Sequence, residues 1–181
     1  MTDFDKGAAY ARIQETLREP LATAKTETEL YTQVVQALHA LPTYDWTGIY
    51  ILTSPDTLSL GPYLGAPTEH VTIPVGRGIC GRSAQEDATV LVADVSQEGN
   101  YLACSLDTRS EIVVPIRVRG AYHAQIDVDS HTLNAFDAAD QEALEALAER
   151  IGRRHVARAI GPADPARLAH PAANRDLASC R

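Results

Sequence analysis

Cysteine is scarce in this chain: Cys80, Cys104 and Cys180 are its only thiols, an odd number with no C-x-x-C pair. That excludes a disulfide framework and predicts reduced thiols in a reducing compartment, where any disulfide is transient and catalytic. Basic charge is also short, with 16 Lys and Arg against 24 Asp and Glu and a formal charge of -8. Nucleic acid and anionic membrane are thereby disfavoured as partners, since both need a basic footprint, and a small ligand is favoured instead. No apolar run approaches the length of a membrane span, and the start Met1-Thr2-Asp3-Phe4-Asp5 is acidic where a secretory signal is basic. A cytoplasmic protein is the expectation. Metal-ligand spacing is missing as well: the six His are scattered and there is no H-x-x-x-H, so the spacing predicts no metal.

What is present reads as one domain over residues 1–160 and a tail. Residues 1–41 read as helices, a weak one from Phe4 to Leu17 and a stronger one carrying Leu30, Tyr31, Val34, Val35 and Leu38, with Thr26 or Thr28 as cap. Between residues 46 and 130 come strands: Trp46 to Leu52 and Leu58 to Leu64 as a hairpin, His70 to Val75 as an edge strand limited by Pro74, Thr89 to Val92, then the runs Ile112 to Arg119 and Tyr122 to Asp129 around Gly120-Ala121. A short helix, Ile79 to Glu86, interrupts them, and Asp137 caps a last helix over residues 137–160 bearing Leu144, Leu147 and Ile151. The Pro/Ala-rich residues 161–181 read as a flexible tail. This order predicts an α+β fold: a central antiparallel sheet of about six strands with the N- and C-terminal helices on one side.

Gly76-Arg77-Gly78-Ile79-Cys80-Gly81 matches the dinucleotide fingerprint G-x-G-x-x-G, and Asp94 ends a strand near the distance at which such folds place a ribose acid. The match is rejected on geometry. A parallel crossover needs a dozen or more residues, whereas the stretch after Gly81 allows only about two helical turns, and Pro74 spoils the preceding strand. The glycines instead predict a tight strand-to-helix turn that puts Cys80 in the first turn of a helix, near Arg77. Two readings stay open there: a thiolate favoured by the helix end, or a buried thiol packed under the sheet.

Cys104 sits in the polar run Asn100 to Glu111, an unusual setting for a residue type that is mostly buried. With Cys80, Glu111, Asp127 and Asp129 at loop and strand ends, the residue types point to thiol redox chemistry assisted by acids.

These residues, with Trp46-Thr47-Gly48-Ile49-Tyr50, Leu60-Gly61-Pro62-Tyr63, Ile73 to Gly81, Ser110 to Pro115 and Asp127-Val128-Asp129-Ser130, resemble in order the signatures of free methionine-(R)-sulfoxide reductases, which are GAF-domain enzymes. The resemblance runs from Trp46 to about Ile151. It implies that Cys104 is the nucleophile, attacking the sulfoxide sulfur and becoming a sulfenic acid, a reversible rung of thiol oxidation. It implies that Glu111, Asp127 and Asp129 hold the substrate and activate its oxygen, that Trp46 and Tyr50 wall the pocket, and that no metal or organic cofactor is bound. It implies further that an external thiol reductant, thioredoxin, recycles the enzyme, and a homodimer is implied by resemblance alone. The alternative from another class is a non-catalytic GAF module that binds a small ligand as a sensor.

The chain departs from that family at two places. His70 stands where the family commonly has a resolving cysteine, which leaves Cys80 as the substitute, with Cys180 or an external thiol as the other routes. His123 and Gln125 stand where the family has a small apolar run; strand alternation puts both on the face of Asp127 and Asp129, where they either tune the pocket or lie at a solvated sheet edge, the reading that burial statistics favour. The hairpin register decides whether a shared site exists. A two-residue Gly120-Ala121 loop turns Glu111 away from the Asp pair, whereas a longer loop or a bulge brings the three together.

Overall fold

The computed structural model describes residues 4–99 and 107–160; Cys104 and Cys180 lie outside them. Asp5 caps α1 (Lys6–Thr16) by accepting from the Ala8 N–H at 2.9 Å. A short α2 (Arg18–Thr23), unsignalled by the sequence pattern, turns the chain into α3 (Glu27–His39). Of the two candidate caps it is Thr26 that serves, accepting from the Glu29 N–H at 3.1 Å, while Glu29 reaches back to the Lys25 N–H at 2.7 Å. The strands are β1 (Trp46–Ser54), β2 (Thr57–Leu64), β3 (Thr72–Pro74), β4 (Val90–Val92), β5 (Ser110–Val118) and β6 (Ala121–Ser130), with α4 (Gly78–Glu86) between β3 and β4 and α5 (Ala138–Ile160) after β6. As expected, Asp137 caps α5, accepting from the Ala139 N–H at 2.8 Å.

The six strands form one antiparallel sheet in the order β3-β2-β1-β6-β5-β4. The glycine motif thus links strands at opposite edges, which removes the parallel neighbour a dinucleotide fold requires. Gly76 and Gly78 take φ of +85° and +65° to make the turn, and the Gly76 N–H bonds the Gly81 carbonyl at 2.8 Å.

Alternation along the strands gives the sheet two different buried faces. Ile112, Val114 and Ile116 of β5 join Ala124, Ile126 and Val128 of β6 under α3 and α5, where Leu30, Val34, Leu38, Leu144, Leu147 and Ile151 complete the main core. On the other face Trp46, Tyr50, Leu58, Ile73 and Val113 pack with Ile79 and Cys80 of α4. Placement of the terminal helices on one side agrees with the expectation, and α4, with Val95 of a short 3-10 turn, packs on the second face.

The β5–β6 hairpin turns on Arg119 and Gly120, both at positive φ (56° and 81°), with Val118 opposite Ala121. By itself this two-residue loop would leave Glu111 on the face away from the Asp pair. A bulge corrects it: Arg117 pairs with Tyr122 but Ile116 pairs with Ala124, so His123 is the extra residue. Beyond the bulge Glu111 pairs with Asp129 and Val113 with Asp127. The bulge also corrects the assignment of His123, which lies on the helix face against Glu27. Gln125 keeps its place on the Asp face but is fully buried, not at a solvated edge. α5 passes the bulge at Gly152, where an added Cβ would stand 2.0 Å from the Arg117 carbonyl oxygen. Gly152→Ala is therefore expected to cost about 1–3 kcal/mol through overpacking against backbone, read as a lower urea midpoint with an unchanged m-value; a midpoint equal to the wild type's would contradict this packing.

Candidate active site

The site lies where the three central strands meet under α4. Asp127 and Asp129 are successive inward residues of β6; on one side they face Gly48 and Trp46 of β1, on the other Val113 and Glu111 of β5. All three acids are buried, at 3% exposure for Glu111 and 0% for Asp127 and Asp129. Such burial is normally confined to paired or hydrogen-bonded acids. Here, among the described residues, Asp127 Oδ1 and both carboxyl oxygens of Asp129 have no hydrogen-bond partner.

The electrostatics follow from that enclosure. Burial pushes the Asp127 carboxyl up to about 7. Burial, then the charges of Asp127 and Asp129, drives Glu111 well above the ordinary carboxyl range; Asp129 rises likewise through burial and the charge of Asp127. Arg82 of α4, ion-paired with Glu98 at 3.0 Å, pulls in the opposite direction on Glu111. The three acids therefore titrate as one cluster that retains protons at neutral pH.

Of the two readings of Cys80, the structure bears out the buried thiol: the residue is 4% exposed and packed against the aromatic face. It is not inert in its contacts, because its Sγ donates to Asp127 Oδ2 at 3.2 Å. Donor atoms of Cys80, Glu111 and Asp127 all lie within 4.8 Å of one another, close enough to converge on one small cationic group. Cys104 falls outside the described residues.

The aromatic wall has a specific construction. The Trp46 indole stacks on Tyr50 and Tyr63 with ring centroids 6.3 and 5.5 Å apart, and its Nε1–H donates to the Ala66 carbonyl at 3.0 Å. Gly48 makes room for it: a Cβ there would stand 2.3 Å from the indole. Tyr50 donates its hydroxyl to the His70 carbonyl at 2.7 Å, which ties β1 to the segment that precedes β3. The sequence reading missed the contributions of Gly48, Arg82 and Tyr122. Tyr122 donates to Gln125 Oε1, and among the described residues Gln125 Nε2 is buried without a partner. Only Gly48 had a local signal, a glycine inside an aromatic strand.

Because the folded-state value of Asp127 is raised, its stabilising contribution is full below the unfolded value and is lost as pH rises through about 7. Asp127→Asn has no such loss. Urea unfolding should show the variant gaining on the wild type between about pH 4 and pH 7; a constant difference across that window would mean that Asp127 is not held protonated.

Comparison with known proteins finds relatives of the chain in sequence and in fold. The family model described as GAF domain matches residues 26–154. Protein YtsP of Bacillus subtilis is 39% identical over 114 residues, covering 62% of this chain and 69% of that protein. The free methionine-R-sulfoxide reductase of Saccharomyces cerevisiae is 38% identical over 115 residues, covering 62% and 63%. Among solved structures, the free methionine-R-sulfoxide reductase of Neisseria meningitidis in complex with its substrate superposes with a TM-score of 0.81 at 31% identity, covering 89% of this chain and 97% of that one.

Proposed function

This chain belongs to the GAF domain family, and on that premise we propose that it reduces free L-methionine-(R)-sulfoxide to L-methionine by thiol chemistry. The observation that carries the reading is the trio Glu111, Asp127 and Asp129, buried together beside Trp46, with three of the four carboxyl oxygens of the Asp pair unpartnered among the described residues. Fully buried acids left without partners are costly unless a ligand satisfies them. A free amino acid is suited to that role: its ammonium group is received by the ionised share of the cluster, and its sulfoxide oxygen is bonded by a carboxyl that has kept its proton. Support also comes from the yeast and Neisseria relatives, whose names carry this substrate.

In this mechanism the Cys104 sulfur attacks the sulfoxide sulfur while an acid of the cluster protonates the sulfoxide oxygen, which is a poor leaving group otherwise. Oxygen passes to Cys104 as a sulfenic acid and methionine leaves with the sulfur reduced by two electrons. A second thiol then condenses with the sulfenic acid, releasing water and forming a disulfide; we assign that step to Cys80. Two electrons and two protons from an external dithiol, thioredoxin, restore both thiols. The hydrogen bond from Cys80 to Asp127 fits this assignment, since Asp127 can take the thiol proton as the disulfide forms. Trp46 and Tyr50 wall the apolar part of the substrate. A cytoplasmic setting supplies the reductant.

Turnover of free methionine-(R)-sulfoxide with dithiothreitol and with thioredoxin tests the proposal. Wild-type protein should turn over with both, Cys104→Ser with neither, and Cys80→Ser should retain more of its activity with dithiothreitol than with thioredoxin. Glu111→Gln should lose about 100-fold or more in kcat, the usual contribution of a general acid. Binding of the sulfoxide without any turnover would return the chain to a small-ligand sensor module and sink the mechanism.

A further inference from the structure

On the opposite face of the sheet from the carboxyl cluster, three elements bring metal-ligating side chains to one point. Glu27 opens α3, His123 is the bulged residue of β6, and His155 lies in α5 near its end, about one turn beyond Gly152. His123 Nε2 stands 2.6 Å from Glu27 Oε1, and His155 Nδ1 stands 3.3 Å from that same oxygen. One donor atom from each of the three lies within 4.8 Å of the others, and the two imidazole rings are tilted at 52° to each other with centroids 5.3 Å apart. The far nitrogen of His155, Nε2, contacts the Tyr31 hydroxyl at 3.2 Å.

We propose that Glu27, His123 and His155 form a binding site for a zinc-like divalent cation, which clamps α3 and α5 onto the bulge of β6. Two imidazoles and one carboxylate are a donor set that such cations prefer, and three protein ligands with an open fourth position are a recurring zinc arrangement. Tetrahedral zinc with bonds of about 2.0–2.1 Å separates its ligand atoms by about 3.4 Å, near the 3.3 Å between His155 and Glu27. The shorter separation from His123 opens by rotation of Glu27, whose side chain is 42% exposed. His155, at 12%, is the fixed ligand, and its hydrogen bond to Tyr31 orients the ring as outer-shell partners of metal-bound histidines do. A fourth coordination position is left for water, as in zinc sites with three protein ligands. Spacing along the chain predicts no metal because it finds ligands only within one element, whereas these come from three. The inference does not rest on the reductase reading, since it concerns the other face of the sheet.

The test uses the full-length chain with Cys80, Cys104 and Cys180 all replaced by Ser, so that thiols cannot capture the probe. Titration with zinc chloride by calorimetry, and with cobalt(II) by absorption, should give one saturable equivalent and the spectrum of a nitrogen- and oxygen-ligated cobalt. In that background His123→Asn and Glu27→Gln should each weaken binding on the order of 100-fold, and Tyr31→Phe about tenfold. Zinc should raise the Tm of the parent and not that of His123→Asn, with both melting alike in chelator, so that a loss of binding is not a loss of fold. If the cysteine-free chain does not fold, the same cobalt titration on the wild type should add nitrogen- and oxygen-type bands that His123→Asn removes. Absence of saturable uptake, uptake through sulfur only, or equal affinity in His123→Asn would overturn the proposal.

Discussion

The register between β5 and β6 is the constraint on which the site depends. Side chains alternate along a strand, so a shift of one residue sends an entire set to the other face. With its tight two-residue turn the hairpin would put Glu111 among the helices and leave Asp127 and Asp129 without their neighbour. The extra residue at His123 restores the pairing of Glu111 with Asp129. The same bulge turns His123 to the helix side, where it meets Glu27, and its neighbour Arg117 abuts Gly152 of α5. A single inserted residue thus sets the composition of both faces.

Around that register the protein tolerates an expensive arrangement. Three carboxyl groups are withdrawn from water in the middle of the sheet, and their mutual repulsion adds to the cost of desolvation. Retained protons relieve part of this, because a neutral carboxyl is far cheaper to bury than a carboxylate. The surrounding structure supplies the rest: the full helix-side core, the stacked Trp46, Tyr50 and Tyr63, and α4 closing over Cys80. Strain of this kind concentrates where function is, since a site complementary to a charged ligand is unsatisfied without it.

Much of the fold was readable beforehand. The cap Asp137, the choice of Thr26 or Thr28 as the other cap, the edge position of the strand with Pro74 and the rejection of a dinucleotide motif all follow from local chemistry and agree with the structure, whereas strand alternation holds in β6 only beyond the bulge at His123. The α2 helix was not readable, because six residues with an internal proline carry too little periodicity. Gln125 was misjudged as solvated because residue type predicts burial only on average, and a polar side chain in a central strand is buried by its neighbours whatever its own preference.

The sequence by itself determined the inventory: which residues alternate, where most strands and helices begin, and that its thiols and acids follow one another in the order of the signatures they resemble. Those features are local, set by propensity, capping and pattern. Tertiary structure alone decided which of them meet. The bulge at His123 reversed one parity and aligned Glu111 with the Asp pair; the packing of α4 made Cys80 a buried thiol bonded to Asp127; and α3, β6 and α5 gathered Glu27, His123 and His155 from distant parts of the chain. Contacts between elements depend on register and packing summed over the whole domain, and no window of sequence contains that sum.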